Sequence, residues 1–227
     1  MDTHTRLTRA LVGIVSIGVG VALSAPGVAA PTVKGDTAAW AEIVAAYRKL
    51  NSLPGYRIKG DVSGGGPGGG SFVYEVAPPN RAYHEIQESP RGKSETFSVG
   101  SKIISKFSGA GVPGGTKCIT LARDPNRIPL LRDPEDPQDT SVYTVARKPD
   151  SVIDGTAVHV YGVTIASPRG GQEISETIYI GTQTDLPRRV VTTVAITMAN
   201  QGTTQTMTST ANFYDYGAKI TIVLPNC

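Results

Sequence analysis

Side chains able to do acid–base chemistry are sparse in this chain. Past the N-terminal segment it holds two histidines, His84 and His159, each inside an alternating strand pattern. Neither is accompanied by a Gly-x-Ser-x-Gly elbow or a His-Glu-x-x-His pair, the spacings that would supply a nucleophile or a metal. Glu173 and Glu176 lie three apart, which on a strand sends them to opposite faces, the wrong arrangement for two carboxylates flanking a scissile bond. The glycine run Gly64–Gly70 lacks the Gly-Lys-Ser/Thr of a phosphate loop and leads into a strand pattern, so it reads as a hairpin tip. Asp124, Asp133, Glu135, Asp136 and Asp139 lie among prolines without the spaced Asp/Asn-Gly pattern of a calcium loop. The expectation is a protein that is not an enzyme, with no metal and no cofactor.

Cys118 and Cys227 are the two cysteines. Their wide separation argues against a redox pair, which uses close spacing, and an even count suits a structural disulfide in an oxidising compartment. The N-terminal segment points to the same compartment. Arg6 and Arg9 precede the apolar run Ala10–Leu23, and the small residues through Ala29 and Ala30 form an exit. This is the layout of a signal peptide over residues 1–29, cleaved after Ala29. The run falls short of the roughly 20 apolar residues of a membrane helix. A periplasmic or secreted protein is expected.

The remainder, residues 30–227, is of a length for one domain burying about 70% of its unfolded surface. The formal charge of the chain is +3, with acidic and basic residues interspersed rather than blocked. That pattern excludes an electrostatic footprint for nucleic acid. A monomer is expected.

The elements that must position any site follow from periodicity. Asp36 is a suitable N-cap, and Trp40, Ile43, Val44, Tyr47 and Leu50 recur at helical spacing until Pro54-Gly55, which predicts a helix over Asp36–Leu53. Tyr56, Ile58, Gly60 and Val62 alternate with polar residues, as do Phe72, Tyr74 and Val76. Further strand patterns run over Ala82–Gln87, Ser94–Val99, Lys102–Phe107, Ser141–Val145, Ala157–Ala166, Glu173–Ile180, Val190–Met198, Thr203–Phe213 and Lys219–Leu224. The turns between them, Asp154-Gly155 and Gly170-Gly171 among them, favour hairpins in sequence. From Arg123 to Asp139 four prolines interrupt the series around Ile128, Leu130 and Leu131, a loop or second cover. The fold class is α+β, mainly β: a curved antiparallel sheet with the N-terminal helix on its concave face, a shape suited to an apolar guest.

This order of features resembles the LolA/LolB-like lipoprotein carriers of the bacterial envelope and their lipid-binding relatives. The resemblance rests on the helix Asp36–Leu53, the strand pair around the glycine-rich tip, and the stretch Phe72–Arg81 with its Pro78-Pro79-Asn80 turn. It also rests on Phe97–Ile104, on Tyr179-Ile180-Gly181 through Leu186-Pro187-Arg188-Arg189-Val190, and on Phe213–Gly217 through Pro225. It implies an unclosed β-barrel whose helix roofs a cavity for lipid or for the acyl chains of a lipoprotein, with transient partners in the envelope. Burying an acyl chain gains about 0.8 kcal/mol per methylene, so a chain of about 14 carbons gains on the order of 10 kcal/mol before ordering costs. The expected lining is Trp40, Val44 and Tyr47 from the helix, facing Tyr56, Ile58, Phe72, Tyr74 and Phe97, with Val160, Ile178 and Ile196 beyond them. Pro78 stands where the carrier proper has an arginine tied to lid closure, a departure from the transfer machinery. The alternative is an envelope interaction or sensing module that uses the same curved sheet without lipid.

Overall fold

The structure is a computed structural model that describes residues 31–64, 69–109, 116–122, 141–166, 172–198 and 203–227. The predicted signal segment and the acidic, proline-rich stretch from Arg123 to Asp139 lie outside the described residues, as does most of the glycine-rich tip. Among the described residues, no helix is long and apolar enough to cross a membrane.

The chain opens with β1 (Thr32–Gly35), followed by α1 (Thr37–Asn51). The Asp36 side chain caps α1 by accepting the Ala39 amide at 2.9 Å, and Arg48 and Lys49 lie in the last turn, where their charge opposes the carbonyl end of the helix dipole. A first meander follows: β2 (Tyr56–Gly64), β3 (Gly70–Ala77), β4 (Ala82–Ser89), β5 (Gly92–Val99), β6 (Lys102–Ser108) and β7 (Thr116–Ala122). A second comprises β8 (Val142–Ile153), β9 (Thr156–Ala166), β10 (Gln172–Gly181), β11 (Pro187–Met198) and β12 (Thr203–Tyr214). Pairing of β12 with β2 merges the two into one 12-stranded sheet in the order β1-β8-β9-β10-β11-β12-β2-β3-β4-β5-β6-β7. The sheet does not close, since β1 and β7 are its two edges. It is mixed rather than wholly antiparallel, because β1 runs parallel to β8.

Period two and the registers decide what faces what. Tyr56 and Ile58 on β2 oppose Val76 and Tyr74 on β3, while Phe213 on β12 opposes Ile58, so these side chains share the face on which α1 lies. Ala39, Ile43, Ala46 and Leu50 of α1 join them, with Tyr143, Val145, Tyr161, Val163, Ile165, Ile178, Ile180 and Val190, in one core. Fully burying each large side chain is worth about 1.5–3 kcal/mol, so this face carries most of the stability.

Beyond β3 the same face turns polar. The cross-strand row that begins at Tyr74 continues through Glu85, Thr96 and Ser105. The Tyr74 hydroxyl donates to Glu85 at 2.7 Å, Gln87 also donates to Glu85, and Thr96 and Ser105 share a hydrogen bond of 3.2 Å. Burial pushes the Glu85 carboxyl up, and its hydrogen bonds from Tyr74 and Gln87 pull against that shift.

The predicted strand Lys219–Leu224 is instead an irregular strap. It adds to neither open edge of the sheet, β1 or β7. After Tyr214 the Gly217 amide donates to the Gly55 carbonyl at 2.8 Å, and Ile220 packs on Ala77 and Ala82. Ala77 and Ala82 pair with each other one residue beyond the inward-facing Val76 and Tyr83, which places the strap on the far face. It ends in a disulfide between Cys227 and Cys118 on the edge strand β7, with Cα atoms 5.7 Å apart.

Candidate functional site

The predicted lining residues are only partly brought together. Ile58, Phe72, Tyr74 and Tyr56 are buried together in the core on the face that carries α1, with Trp40 and Tyr47 packed half-buried against it. Val44 is buried on α1 but stands outside that cluster. Phe97 is not brought to the group at all. Its cross-strand partner is His84, whose partner in turn is Glu75, so all three occupy the far face, and the Phe97 and His84 rings stack at 4.2 Å and 10°. Val160 is excluded for the same reason, being one residue from the inward-facing Tyr161. Ile178 is inside, and the side chain of Ile196 lies outside the described residues.

Between α1 and the sheet the space is nearly filled. Trp40, Ile43 and Tyr47 face Tyr143, Val163, Glu176 and Ile178 around a cleft of about 20 Å³, room for about one water. Trp40 rests on Tyr143 with ring centroids 4.8 Å apart. Deeper in, Tyr56 is fully buried and its hydroxyl has no hydrogen-bond partner among the described residues. Burial, and then the neighbouring Tyr47, push that phenol well above its ordinary pKa. A buried hydroxyl left unpaired costs about 1–3 kcal/mol.

At its polar flank α1 is held by ions rather than by packing. Arg147 of β8 reaches both Glu42 carboxylate oxygens at 3.2 Å, and the Tyr161 hydroxyl donates to the same carboxylate. His159 Nδ1 lies 2.8 Å from Arg147 Nη2 and 3.0 Å from Asp150. One nitrogen cannot serve both: unprotonated it accepts from Arg147, protonated it donates to Asp150. The hydrogen bond with His159 holds the Asp150 carboxyl below its usual range. Nearer the helix C-terminus Lys49 pairs with Asp185 at 3.2 Å.

His84, the other histidine, has Nδ1 3.6 Å from Glu75 and Nε2 buried with no partner among the described residues. Among the described residues no group of three His, Cys, Asp or Glu side chains is placed to hold a metal. Tyr143, Val163, Glu42 and Arg147 were not singled out from sequence. The strand patterns containing Tyr143 and Val163 were visible, but the pairing that sets them under α1 joins segments far apart in the chain. The contact between Glu42 and Arg147 spans 105 positions and leaves no local signal.

The fold is thus a curved, unclosed sheet with one helix laid across part of one face. No family model and no curated protein matches the chain. Among solved structures, a DUF1329 family protein from Desulfovibrio piger is similar over 81% of this chain and 95% of its own, at 8% identity and a TM-score of 0.30.

Proposed function

We propose that this is an exported, non-catalytic protein that binds a hydrophobic ligand, lipid or the acyl chains of a lipoprotein, between α1 and the sheet, with α1 as a movable cover. The observation that carries the reading is the contrast within the helix attachment. The covered face is built of aromatic and aliphatic side chains with Trp40 and Tyr47 at its rim, whereas the ties beside it, Glu42–Arg147 and Lys49–Asp185, are exposed ion pairs. Such pairs contribute about 0–1 kcal/mol each, so release of the cover is opposed mainly by apolar burial, which an incoming acyl chain would restore. The Tyr56 hydroxyl, without a hydrogen-bond partner among the described residues, supports a ligand that brings a polar group to the floor of the site. Export is supported by the signal-like N-terminus and by the Cys118–Cys227 disulfide. The departure at Pro78, buried at the start of a single 3-10 turn, Pro78–Asn80, makes carriage to the outer membrane one use of such a site among several.

The cleft of about 20 Å³ favours a second reading, an envelope interaction module whose helix stays seated and whose sheet edges bind a partner. Native mass spectrometry of the protein purified from its own envelope separates the two. Co-purifying lipid or acylated peptide, together with uptake of a fluorescent fatty acid, supports ligand binding. An empty protein that takes up no such probe would sink it.

A further inference from the structure

A larger hollow lies on the opposite face, away from α1. Lys59, Asn212 and Arg189 are successive cross-strand partners on β2, β12 and β11, so their side chains emerge in one row on the far face. The register shifts between Tyr179 and Ile180, whose partners are Arg189 and Pro187, leaving Arg188 as an inserted residue; a bulge of this kind re-aims side chains, and both arginines line the same hollow. The tip of the β8–β9 hairpin supplies Ile153 and Asp154, and Tyr214 lines it as well. Asp154 and Gly155 have φ of +50° and +73°, the tight turn in which both central residues are left-handed. The hollow measures about 330 Å³, within the range of small-molecule sites.

We propose that this hollow binds a phosphate-bearing ligand. Three cations, Lys59, Arg188 and Arg189, line it against a single carboxylate, Asp154. Neither Lys59 nor Arg188 is paired with a carboxylate among the described residues, and Lys59 Nζ is parked 5.5 Å from the centre of the Tyr214 ring. The Arg189 fork is set in place beforehand: Nε donates to Asn212 at 2.6 Å and Nη2 to Asp154 at 3.3 Å. Guanidinium forks match the oxygens of phosphate, and a dianion balances the excess of two positive charges better than one carboxylate does. Asp154 competes with the ligand for Arg189 and so tempers the affinity. Ile153 and the Tyr214 ring offer an apolar wall to whatever carries the phosphate. This site shares no residue with the cleft under α1 and does not rest on the reading given for it.

Calorimetric titration of the purified, disulfide-intact chain with inorganic phosphate and with glycerol 3-phosphate tests the proposal, alongside flotation with phosphatidylcholine vesicles with and without phosphatidic acid. Saturable binding is expected, weakened about tenfold or more in Arg189→Gln and in Lys59→Gln, because each substitution removes a charge-assisted contact to the phosphate oxygens. Asp154→Asn is expected to tighten it about twofold to fivefold by removing the exposed competing carboxylate, with asparagine tolerating the left-handed backbone there. Misfolding can abolish binding but cannot strengthen it. Binding of the free phosphates assigns the site to a soluble ligand; binding only to phosphatidic acid vesicles, with the same dependence on the variants, assigns it to a lipid headgroup. Absence of saturable binding to either source, or binding that none of the three substitutions changes, overturns the proposal.

Discussion

α1 and the C-terminal strap cover opposite faces of one sheet by different means. α1 lays a full apolar stripe on β8 and its neighbours and is flanked by exposed ion pairs, whereas the strap presents little more than Ala218, Ile220 and Ile222 and is locked by a covalent bond at its end. The faces differ in the same sense. Beneath α1 a mostly aromatic and aliphatic lining closes up until about 20 Å³ is left, while on the far face a largely charged and polar lining surrounds a hollow of about 330 Å³. Apolar pattern therefore marks where the chain packs, and vacant volume is found where polar side chains resist collapse.

The largest effect should come from the strap. Chain-entropy arguments put a cross-link closing about 100 residues at roughly 4–5 kcal/mol, with measured values commonly about 2–4, and this one spans a sequence separation of 109. Cys227→Ser should lower the unfolding free energy obtained from guanidinium denaturation by an amount in that range, and a reductant should do the same to the native chain while leaving the variant unmoved. Next comes the helix. Leu50 is wholly buried, so Leu50→Ala should destabilise by about 2–5 kcal/mol in urea unfolding. On the far face the exposed Lys59→Gln should stay within about 0.5 kcal/mol. A Leu50→Ala variant as stable as Lys59→Gln would break the comparison, since α1 could then not be the packed cover.

Local pattern revealed the helix almost to its ends, because Asp36 and Pro54-Gly55 stop it by their own chemistry. It also revealed Asp154-Gly155 as a turn, since few other pairs accept two left-handed residues. What it could not supply was register. Phe97 and Phe72 look alike in an alternating run, yet the β4–β5 pairing turns Phe97 outward onto His84. The final Lys219–Leu224 pattern alternates like a strand, yet the segment joins neither edge of the completed sheet. β1 is too short to register as a pattern, and its parallel partner lies more than 100 positions away. The far-face hollow was illegible for a related reason: Lys59, Asp154, Arg188 and Asn212 come from four separate segments, and a bulge must occur before the two arginines share it.

The ion pairs along α1 sharpen the account of how it is held. Arg147→Gln removes the contacts to Glu42 and Asp150 at an exposed position, and a loss of at most about 1 kcal/mol is expected in thermal unfolding. Fatty-acid uptake should become faster in the same variant, since one tie on the cover is gone. A loss of several kcal/mol would mean that the flank, and not the apolar stripe, holds the helix down.

The smallest effect concerns the polar continuation of the helix face. The Glu85 carboxyl is raised above its ordinary value chiefly by burial, so the native state binds a proton more readily than the unfolded chain does. Stability from this group is therefore complete below the unfolded carboxyl pKa and is lost as pH rises through the higher, folded one. Glu85→Gln keeps an oxygen to accept from Tyr74 while abolishing that titration. Relative to the native chain the variant should gain stability, by about 0.5 kcal/mol, as pH climbs from the acidic side of the carboxyl range toward neutrality. Denaturant midpoints measured across that interval decide the matter, and a variant that loses ground with rising pH would show that the Tyr74 and Gln87 hydrogen bonds to the carboxylate outweigh its desolvation.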